Sequence, residues 1–202
     1  MKKKMFILDI ATFGHEAALM FIQRQGWLLK DVEIVFCGSH GSLLERFVTE
    51  PFSYATVPLR NSSAGEYTEV TIPLAKFRGE GHKLLERDQF DLPINLFLLV
   101  SPSVNQVDEL ECVMSHEKAL KECGQYLDSI GITQDKRSEV KSTGESARLV
   151  SELGLGALVG AVAPKIATKV YNLKVLAENI QDDPNNKTIF VLLQNQLTMK
   201  LK

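Results

Sequence analysis

Small hydroxyl and amide side chains recur in this sequence where predicted strands end and predicted helices begin. The positions with this property are Thr12, the run Asn61-Ser62-Ser63, the pair Ser142-Thr143, and Thr188. Taken singly, such residues usually cap a helix or shape a turn. As a group they supply hydroxyl donors and backbone N–H groups at several strand-to-helix junctions, which is how α/β proteins bind small anions. The residues by themselves therefore indicate a small-anion site without identifying the ligand.

The sequence contains no complete motif for binding a metal or a nucleotide. His15-Glu16 and His116-Glu117 each begin like a zinc-binding helix, but neither is followed by a second histidine four residues on. The three cysteines form no CxxC pair, so we expect no metal. A glycine run at residues 154–160 is one residue too long for a dinucleotide fingerprint, and tight packing explains it better. Neither a P-loop nor a G-x-S-x-G hydrolase motif occurs.

Composition bounds the class of protein. The chain has 202 residues, 45% of them hydrophobic and 24% charged, which excludes collagen-like, disulfide-rich and wholly disordered proteins. A formal net charge of −2 argues against a nucleic-acid partner. The basic start leads into a short apolar run that Asp9 interrupts, so we expect neither a signal peptide nor a membrane span. Three cysteines without paired spacing indicate reduced thiols, and we expect a cytoplasmic protein.

Alternating strand and helix patterns must position these side chains. The first series comprises strands at 5–8, 32–37 and 54–59 and helices at 15–24 and 42–48, an order typical of a parallel sheet. After a polar segment at 78–91, a second series begins. It comprises strands at 92–100 and 110–114, helices at 117–127 and 144–153, an ambiguous apolar segment at 155–171 and a strand at 188–193. We predict two α/β lobes with a ligand cleft between them, the first at about 1–90 plus 164–202 and the second at 91–163.

Five motifs, in order along the chain, resemble those of the prephenate dehydratase family. TFGHEAA at residues 12–18 is similar to the family's GTFSHEAA, and VPLRNSSAG at 57–65 is similar to VPIENSSEG. Ser115-His116 followed by Cys123 resembles SHPQ…QC. STGESA at 142–147 resembles STAEAA, and YNL followed by NKTIF at 186–190 resembles YGL…NxTRF. The correspondence runs nearly from end to end.

The resemblance implies a fold, a reaction and a set of site residues. It implies a two-lobed fold of the periplasmic-binding-protein type II class, an interlobe active site, no metal or organic cofactor, and commonly a homodimer. The reaction is decarboxylation of prephenate with loss of the ring hydroxyl, giving phenylpyruvate for phenylalanine biosynthesis. Thr188 takes the place of the family threonine that assists the leaving hydroxyl. The substrate dianion would be held by Thr12, Asn61, Ser62, Ser63, Ser142 and Thr143 through charge-assisted hydrogen bonds. His15 lies either in this cleft or at a helix start.

Departures from the family pattern concentrate at the site. Ile189 replaces the arginine of TRF, Arg60 replaces the glutamate of ENSS, and lysine or glutamate replaces the glutamines of HPQ…QC. An aliphatic residue cannot substitute for a bidentate guanidinium, so Arg60, or less favourably Lys187, would have to supply a cation for the substrate. The chain also ends before the regulatory ACT domain of the family, and we expect no feedback inhibition by phenylalanine.

Three functions remain open on these grounds. A prephenate dehydratase is favoured because Thr188, Asn61, Ser142 and Thr143 are retained. A prephenate decarboxylase that does not aromatise the ring is the first alternative. A non-catalytic carboxylate-binding protein on the same fold is the second, and the loss of the arginine favours it.

Overall fold

A computed structural model of the chain describes residues 2–196, and in it the chain divides into two compact units. The first unit joins the residues up to Pro93 with those from Lys187 onward, and the second is Ile94–Asn186. The chain therefore leaves the first unit once and returns to it once. Residues 1 and 197–202, which the predicted first lobe includes, lie outside the described residues.

A mixed sheet with helices on both faces forms the first unit. Its elements, numbered along the whole chain, are β1 (Lys3–Ile7), α1 (Phe13–Arg24), β2 (Val32–Phe36), α2 (His40–Thr49), β3 (Tyr54–Asn61), β4 (Gly65–Glu66), α3 (Thr68–Gly79), β5 (Lys83–Pro93) and β11 (Lys187–Gln196). The strand order is β2-β1-β3-β11-β5, with β4 paired to β3. Strand β1 runs parallel to β2 and β3, whereas β11 is antiparallel to both of its neighbours, β3 and β5.

Strand β11 has a continuous apolar run at residues 189–193 because its centre is buried on both faces. Its residues Phe190 and Leu192 pack with the buried side of α1, whose Ala17, Ala18, Phe21 and Ile22 lie on one helical face. Its alternate residues Val191 and Leu193 pack with α2 and α3 on the other face of the sheet. Successive side chains of a strand point to opposite faces, so a continuous hydrophobic run is what a central strand requires.

A five-stranded sheet forms the second unit. Its elements are β6 (Phe97–Val100), β7 (Cys112–Ser115), α4 (Glu117–Glu122), α5 (Gly124–Ser129), β8 (Arg137–Glu139), α6 (Thr143–Leu153), β9 (Val159–Ala163), α7 (Ile166–Tyr171) and β10 (Lys174–Ala177). The strand order is β10-β6-β9-β7-β8. Strand β7 is parallel to β8 and β9, and β6 is antiparallel to β9 and β10. The predicted α/β class with two sheets is thus confirmed.

The glycine run of residues 154–160 shapes a loop and a close packing contact. Gly154 and Gly156 have φ values of 79° and 91° in the loop after α6, a region that favours glycine. A Cβ atom on Gly160 would lie 2.8 Å from Leu98 Cδ1 and 3.2 Å from Val113 Cγ2. The packing interpretation therefore holds for Gly160, whereas a Cβ on Gly154 or Gly156 would meet nothing within 4 Å, and these two glycines shape the loop.

The second crossing between the units differs from the sequence-based expectation. The sequence predicts residues 164–186 in the first lobe, whereas the structure places them in the second unit and returns the chain to the first at Lys187. The reason is β10, which pairs antiparallel with β6 and so extends the second sheet. The β10 segment KVLA is short and half-buried, which gives it little hydrophobic signal.

Three element boundaries also differ from expectation. The polar segment at 78–91 contains most of β5, an edge strand whose charged side chains interrupt the alternation of apolar residues. The single strand expected at 92–100 is divided, since β5 ends at Pro93 and β6 begins at Phe97. The helix expected at 117–127 breaks at Cys123 into α4 and α5. No helix among residues 2–196 is long and apolar enough to cross a membrane.

Candidate functional site

Three of the predicted site residues lie at one edge of the first sheet. Strands β1 and β3 are parallel, so their carboxyl ends meet at the same edge, and antiparallel β11 begins there. Thr12 follows β1, Asn61 ends β3, and Thr188 is the second residue of β11. The carboxyl edge of parallel strands is where open α/β sheets bind ligands.

A hydrogen bond joins Asn61 to Thr188. The two are direct partners in the β3–β11 ladder, and the Asn61 Nδ2 group donates to Thr188 Oγ1 at 2.9 Å. The same amide group donates to the Lys187 carbonyl at 3.2 Å. Asn61 is 3% exposed and Thr188 is 1% exposed, so protein groups rather than water determine how this pair is oriented.

Hydrogen bonds to Asn61 and to Lys187, the first residue of β11, fix the turn that follows Asn61. Asn61 Oδ1 accepts the backbone N–H groups of Ser63 at 2.9 Å and Ala64 at 2.7 Å, an Asx turn. Ser62 N–H donates to the Lys187 carbonyl at 2.9 Å, and Lys187 N–H donates to Ser62 Oγ at 3.0 Å. Asn61 and Ser62 are therefore held against the start of β11 by side-chain and main-chain bonds, and Ser63 is held to Asn61.

Thr12 is the N-cap of α1. Its Oγ1 accepts the His15 N–H at 3.4 Å and donates to the Asp9 carbonyl at 2.8 Å. Both bonds stabilise the loop between β1 and α1, in which Ala11 has a φ of 58°. Thr12 thus reaches the predicted edge, with its hydroxyl engaged in capping and loop contacts.

His15 closes this loop from the helix side. Its Nδ1 accepts the Ala11 N–H at 3.2 Å, so a neutral ring carries its proton on Nε2. Burial lowers the pKa of His15 from its ordinary value of 6.5 and raises the pKa of the neighbouring Glu16. The ring meets Phe36 edge to face at 5.6 Å. Of the two roles expected for His15, the helix cap belongs to Thr12.

Ser142 and Thr143 lie in the second unit. Ser142 is the N-cap of α6, where its Oγ accepts the Glu145 N–H at 3.0 Å. Thr143 is the first residue of this helix, and its carbonyl accepts the Ser146 hydroxyl at 2.8 Å. The pair follows β8, so it lies at the carboxyl edge of the parallel strands of the second sheet. The substrate-binding role of these two residues stays a prediction.

Arg60 and Ile189 are cross-strand neighbours on one face of the sheet, and Asn61 and Thr188 lie on the other face. They are direct partners in the β3–β11 ladder, and each precedes or follows a member of the Asn61–Thr188 pair by one residue. Because successive strand residues alternate between faces, the Arg60 side chain projects away from that pair. Arg60 forms no ion pair among residues 2–196. The Lys187 ammonium, by contrast, contacts Asp91 at 2.5 Å.

Two residues of the matched motifs have defined local roles that the sequence analysis did not assign. Ser115 is fully buried at the end of β7, and its hydroxyl donates to the Val162 carbonyl at 2.6 Å. His116 caps α4, its Nδ1 accepting the Lys118 N–H at 3.2 Å. In the sequence, the only indication of these two residues is the motif that resembles SHPQ. Among residues 2–196, no three His, Cys, Asp or Glu side chains gather closely enough to hold a metal ion.

Two α/β units with hydroxyl and amide residues at the carboxyl ends of their parallel strands define a small-ligand protein of the α/β class. The family model described as prephenate dehydratase matches residues 9–198. Because that match spans most of the chain, the chain belongs to the prephenate dehydratase family.

Individual relatives agree with this family. An Arabidopsis thaliana protein named arogenate dehydratase/prephenate dehydratase 1, chloroplastic, is 37% identical over 142 residues, 70% of this chain and 34% of its own length. The prephenate dehydratase of Methanocaldococcus jannaschii is 29% identical over 199 residues, 98% of this chain and 67% of its own. The chain thus spans between about a third and two thirds of these relatives.

A solved structure shares the fold. The prephenate dehydratase of Staphylococcus aureus subsp. aureus Mu50 superposes with a TM-score of 0.76, covering 97% of this chain and 67% of that one. The two sequences are 20% identical, so this likeness concerns the fold alone.

Proposed function

We propose that the protein is a prephenate dehydratase-like lyase that converts prephenate to phenylpyruvate in aromatic amino-acid biosynthesis. The observation that carries this proposal is the hydrogen-bonded pair Asn61–Thr188 at the ligand-binding edge of the first sheet, inside two of the family's motifs. Membership of the family supplies the reaction, and the pair supplies a buried hydroxyl to serve it.

The proposed reaction balances without a redox partner. The bond between the ring and its carboxylate breaks and releases CO₂, and its electron pair enters the ring. The C–O bond of the ring hydroxyl then breaks, and hydroxide leaves with that bond's electron pair and becomes water with a proton from solvent. Thr188 donates a hydrogen bond to the departing oxygen and so stabilises its developing negative charge, which is greatest in the transition state.

The two carboxylates of prephenate need their own donors. We assign this role to Thr12, Ser62, Ser63, Ser142 and Thr143, whose hydroxyl or backbone N–H groups lie at the carboxyl edges of the two sheets. No metal or organic cofactor enters the proposal. Of the two cations considered, Arg60 remains the candidate, because Lys187 is engaged by Asp91 whereas Arg60 forms no ion pair among the described residues. Since the Arg60 side chain starts on the sheet face opposite Asn61 and Thr188, it would have to reach the substrate around the end of β3.

Incubation with prephenate tests this proposal when CO₂ and phenylpyruvate are measured separately. Release of both supports a dehydratase, and CO₂ without an aromatic product identifies the decarboxylase. Neither product, together with saturable binding of prephenate by calorimetry, identifies the carboxylate-binding protein. Arogenate is assayed in parallel because the Arabidopsis relative carries that substrate in its name.

The assembly and location of the protein follow the same proposal. We propose a cytoplasmic homodimer that does not bind nucleic acid, supported by the family resemblance and by a net charge of −2. Size-exclusion chromatography with light scattering measures the mass in solution. A monomeric mass at micromolar concentration would contradict the dimer.

A further inference from the structure

The side-chain amide of Asn61 has its hydrogen-bonding capacity fully used inside the protein. An asparagine amide has two N–H donors and an oxygen with two lone pairs. Both donors are engaged, by Thr188 Oγ1 at 2.9 Å and the Lys187 carbonyl at 3.2 Å. Both lone pairs are engaged as well, by the backbone N–H groups of Ser63 and Ala64. The Asn61 amide is therefore committed to the protein rather than offered to a ligand.

The chemistry of the neighbours determines which way this amide points. Backbone N–H groups can only donate, so the end of Asn61 near Ser63 and Ala64 must be the oxygen. The Lys187 carbonyl can only accept, so the other end must be the nitrogen. A flipped amide would face two donors with its own N–H groups and a carbonyl with its own oxygen. Thr188 consequently meets a donor, and its oxygen must accept.

We propose that Asn61 is a positioning residue that fixes the hydroxyl of Thr188 as a hydrogen-bond donor toward the substrate. Since the Asn61 amide occupies a lone pair of Thr188 Oγ1, the hydroxyl proton points elsewhere, and within residues 2–196 it is donated to no acceptor. The proposal rests on the proposed dehydratase function and deepens it. It moves Asn61 from the substrate-binding set to the group that orients the catalytic hydroxyl.

Asn61→Asp reverses the polarity of this pair with little change in shape. The introduced carboxylate keeps the turn, because one of its oxygens accepts hydrogen bonds from the Ser63 and Ala64 N–H groups. Its second oxygen, however, accepts a hydrogen bond from the Thr188 hydroxyl, which is then no longer free to donate to the substrate. We expect kcat on prephenate to fall by about 10²-fold at pH 8 with KM nearly unchanged, the loss typical of removing one transition-state donor. Protonation of the carboxyl restores a donor, so relative kcat should recover as the pH falls. Burial favours protonation above the ordinary pKa of about 4.

Asn195→Asp is the matched control. Asn195 is a second buried asparagine on β11, and its amide donates to the carbonyls of Phe47, Val48 and Glu50. This variant should lose stability, while its kcat per folded molecule, relative to the unmodified protein, stays constant with pH. Circular dichroism at each pH gives the folded fraction. A pH-independent loss of kcat in Asn61→Asp, or an unchanged kcat, would overturn the proposal.

An NMR measurement separates this proposal from the proposed function. In the ¹⁵N-labelled protein, both Asn61 side-chain protons should exchange slowly with solvent, and Thr188→Val should shift one of them upfield. This readout needs no substrate and no folded Asn61→Asp variant. An Asn61 amide that Thr188→Val leaves unshifted contradicts the positioning role even if prephenate is converted. The expected shift in a protein that leaves prephenate unchanged contradicts only the dehydratase assignment.

Discussion

At the scale of single residues, the Asn61–Thr188 pair predicts that two substitutions of Thr188 differ sharply. Thr188→Val removes the hydroxyl, so product formation should fall by about 10²–10³-fold. It also deprives the Asn61 amide of an acceptor, which should cost about 1–3 kcal/mol of unfolding free energy. Steady-state kinetics and urea denaturation measure the two effects.

Thr188→Ser is the control, because it keeps the hydroxyl that accepts from Asn61. It should retain most of the activity and lose less than the valine variant in stability. Equal activities for the two variants would show that the hydroxyl plays no part in catalysis.

His15 predicts a pH dependence of stability. Its pKa is lowered by burial in the folded state, so between the folded value and the ordinary 6.5 the unfolded chain binds more protons. Stability from this group is therefore complete above pH 6.5 and decreases as the pH falls below it. Glu16, whose pKa burial raises, acts in the opposite direction, losing stability as the pH rises above its ordinary 4.5.

The comparison of wild type with His15→Asn isolates this effect. The asparagine oxygen can accept the Ala11 N–H as Nδ1 does, but it does not titrate, and the Glu16 contribution cancels. Urea unfolding between pH 5.5 and 7.5 should show a smaller loss at low pH in the variant. His82→Asn controls for removal of a histidine as such, and parallel curves for wild type and His15→Asn would contradict the prediction.

At the scale of elements, the β3–β11 ladder couples two of the departures from the family pattern. Arg60 and Ile189 lie directly opposite each other, so an arginine at 189 would face a second guanidinium. Ile189→Arg should therefore be destabilising, and adding Arg60→Glu should restore stability through a cross-strand ion pair of roughly 0.2–1 kcal/mol. Asp91, the partner of Ile189 on β5, should reduce the destabilisation of the single variant without removing the repulsion between the two guanidinium groups.

A double-mutant cycle by urea denaturation measures this coupling. Prephenate turnover of the same four proteins shows whether the restored pair also raises dehydratase activity. Additive effects on the free energy of unfolding would mean that the two positions act independently despite their register.

Strong periodicity explains which elements the sequence predicts well. Strands β1, β2 and β3 and helices α1 and α2 lie within a few residues of their expected bounds, because each combines an apolar face with a clear cap or turn. Helix α3 was missed, and it contains Pro73, which ordinarily argues against a helix interior. Strand β5 was missed because its edge position allows charged side chains along most of its length.

The site could be predicted only as far as its motifs reach. Sequence resemblance identified Asn61 and Thr188 but assigned both to ligand contacts or chemistry. The bond between them joins residues 127 positions apart, and no local pattern encodes such a partner. The same holds for Arg60, whose face of the sheet follows from its register opposite Ile189 and not from its neighbour Asn61 in the sequence.

At the scale of the whole molecule, the second unit is inserted into a β-hairpin. Pro93 and Lys187 are direct partners in the β5–β11 ladder, and Ile94 N–H donates to the Asn186 carbonyl at 2.8 Å. Replacing residues 94–186 by Asn-Gly, a preferred two-residue hairpin turn, should leave the first unit folded.

Cooperative urea unfolding and a dispersed ¹H–¹⁵N spectrum would verify this prediction. The shortened chain should lose prephenate turnover, because Ser142 and Thr143 go with the second unit. A variant with a Pro-Pro turn at the same place is the matched control and should fold less well, since that turn does not suit a tight hairpin. A poorly dispersed ¹H–¹⁵N spectrum for the Asn-Gly variant would show that folding of the first unit depends on the second.

The position of β11 along the chain sets the timing of folding. This central strand follows every other described strand. The partner of its Lys187 on β5, Pro93, precedes it by 94 residues, and the partner of its Thr188 on β3, Asn61, precedes it by 127 residues. During synthesis on the ribosome, the edges of β3 and β5 that pair with β11 stay unpaired until β11 is made, whereas the intervening second unit can already fold. The first sheet can therefore be completed only once β11 has been synthesised. Chaperones that shield sheet edges should affect the yield of this protein more than they affect its final stability.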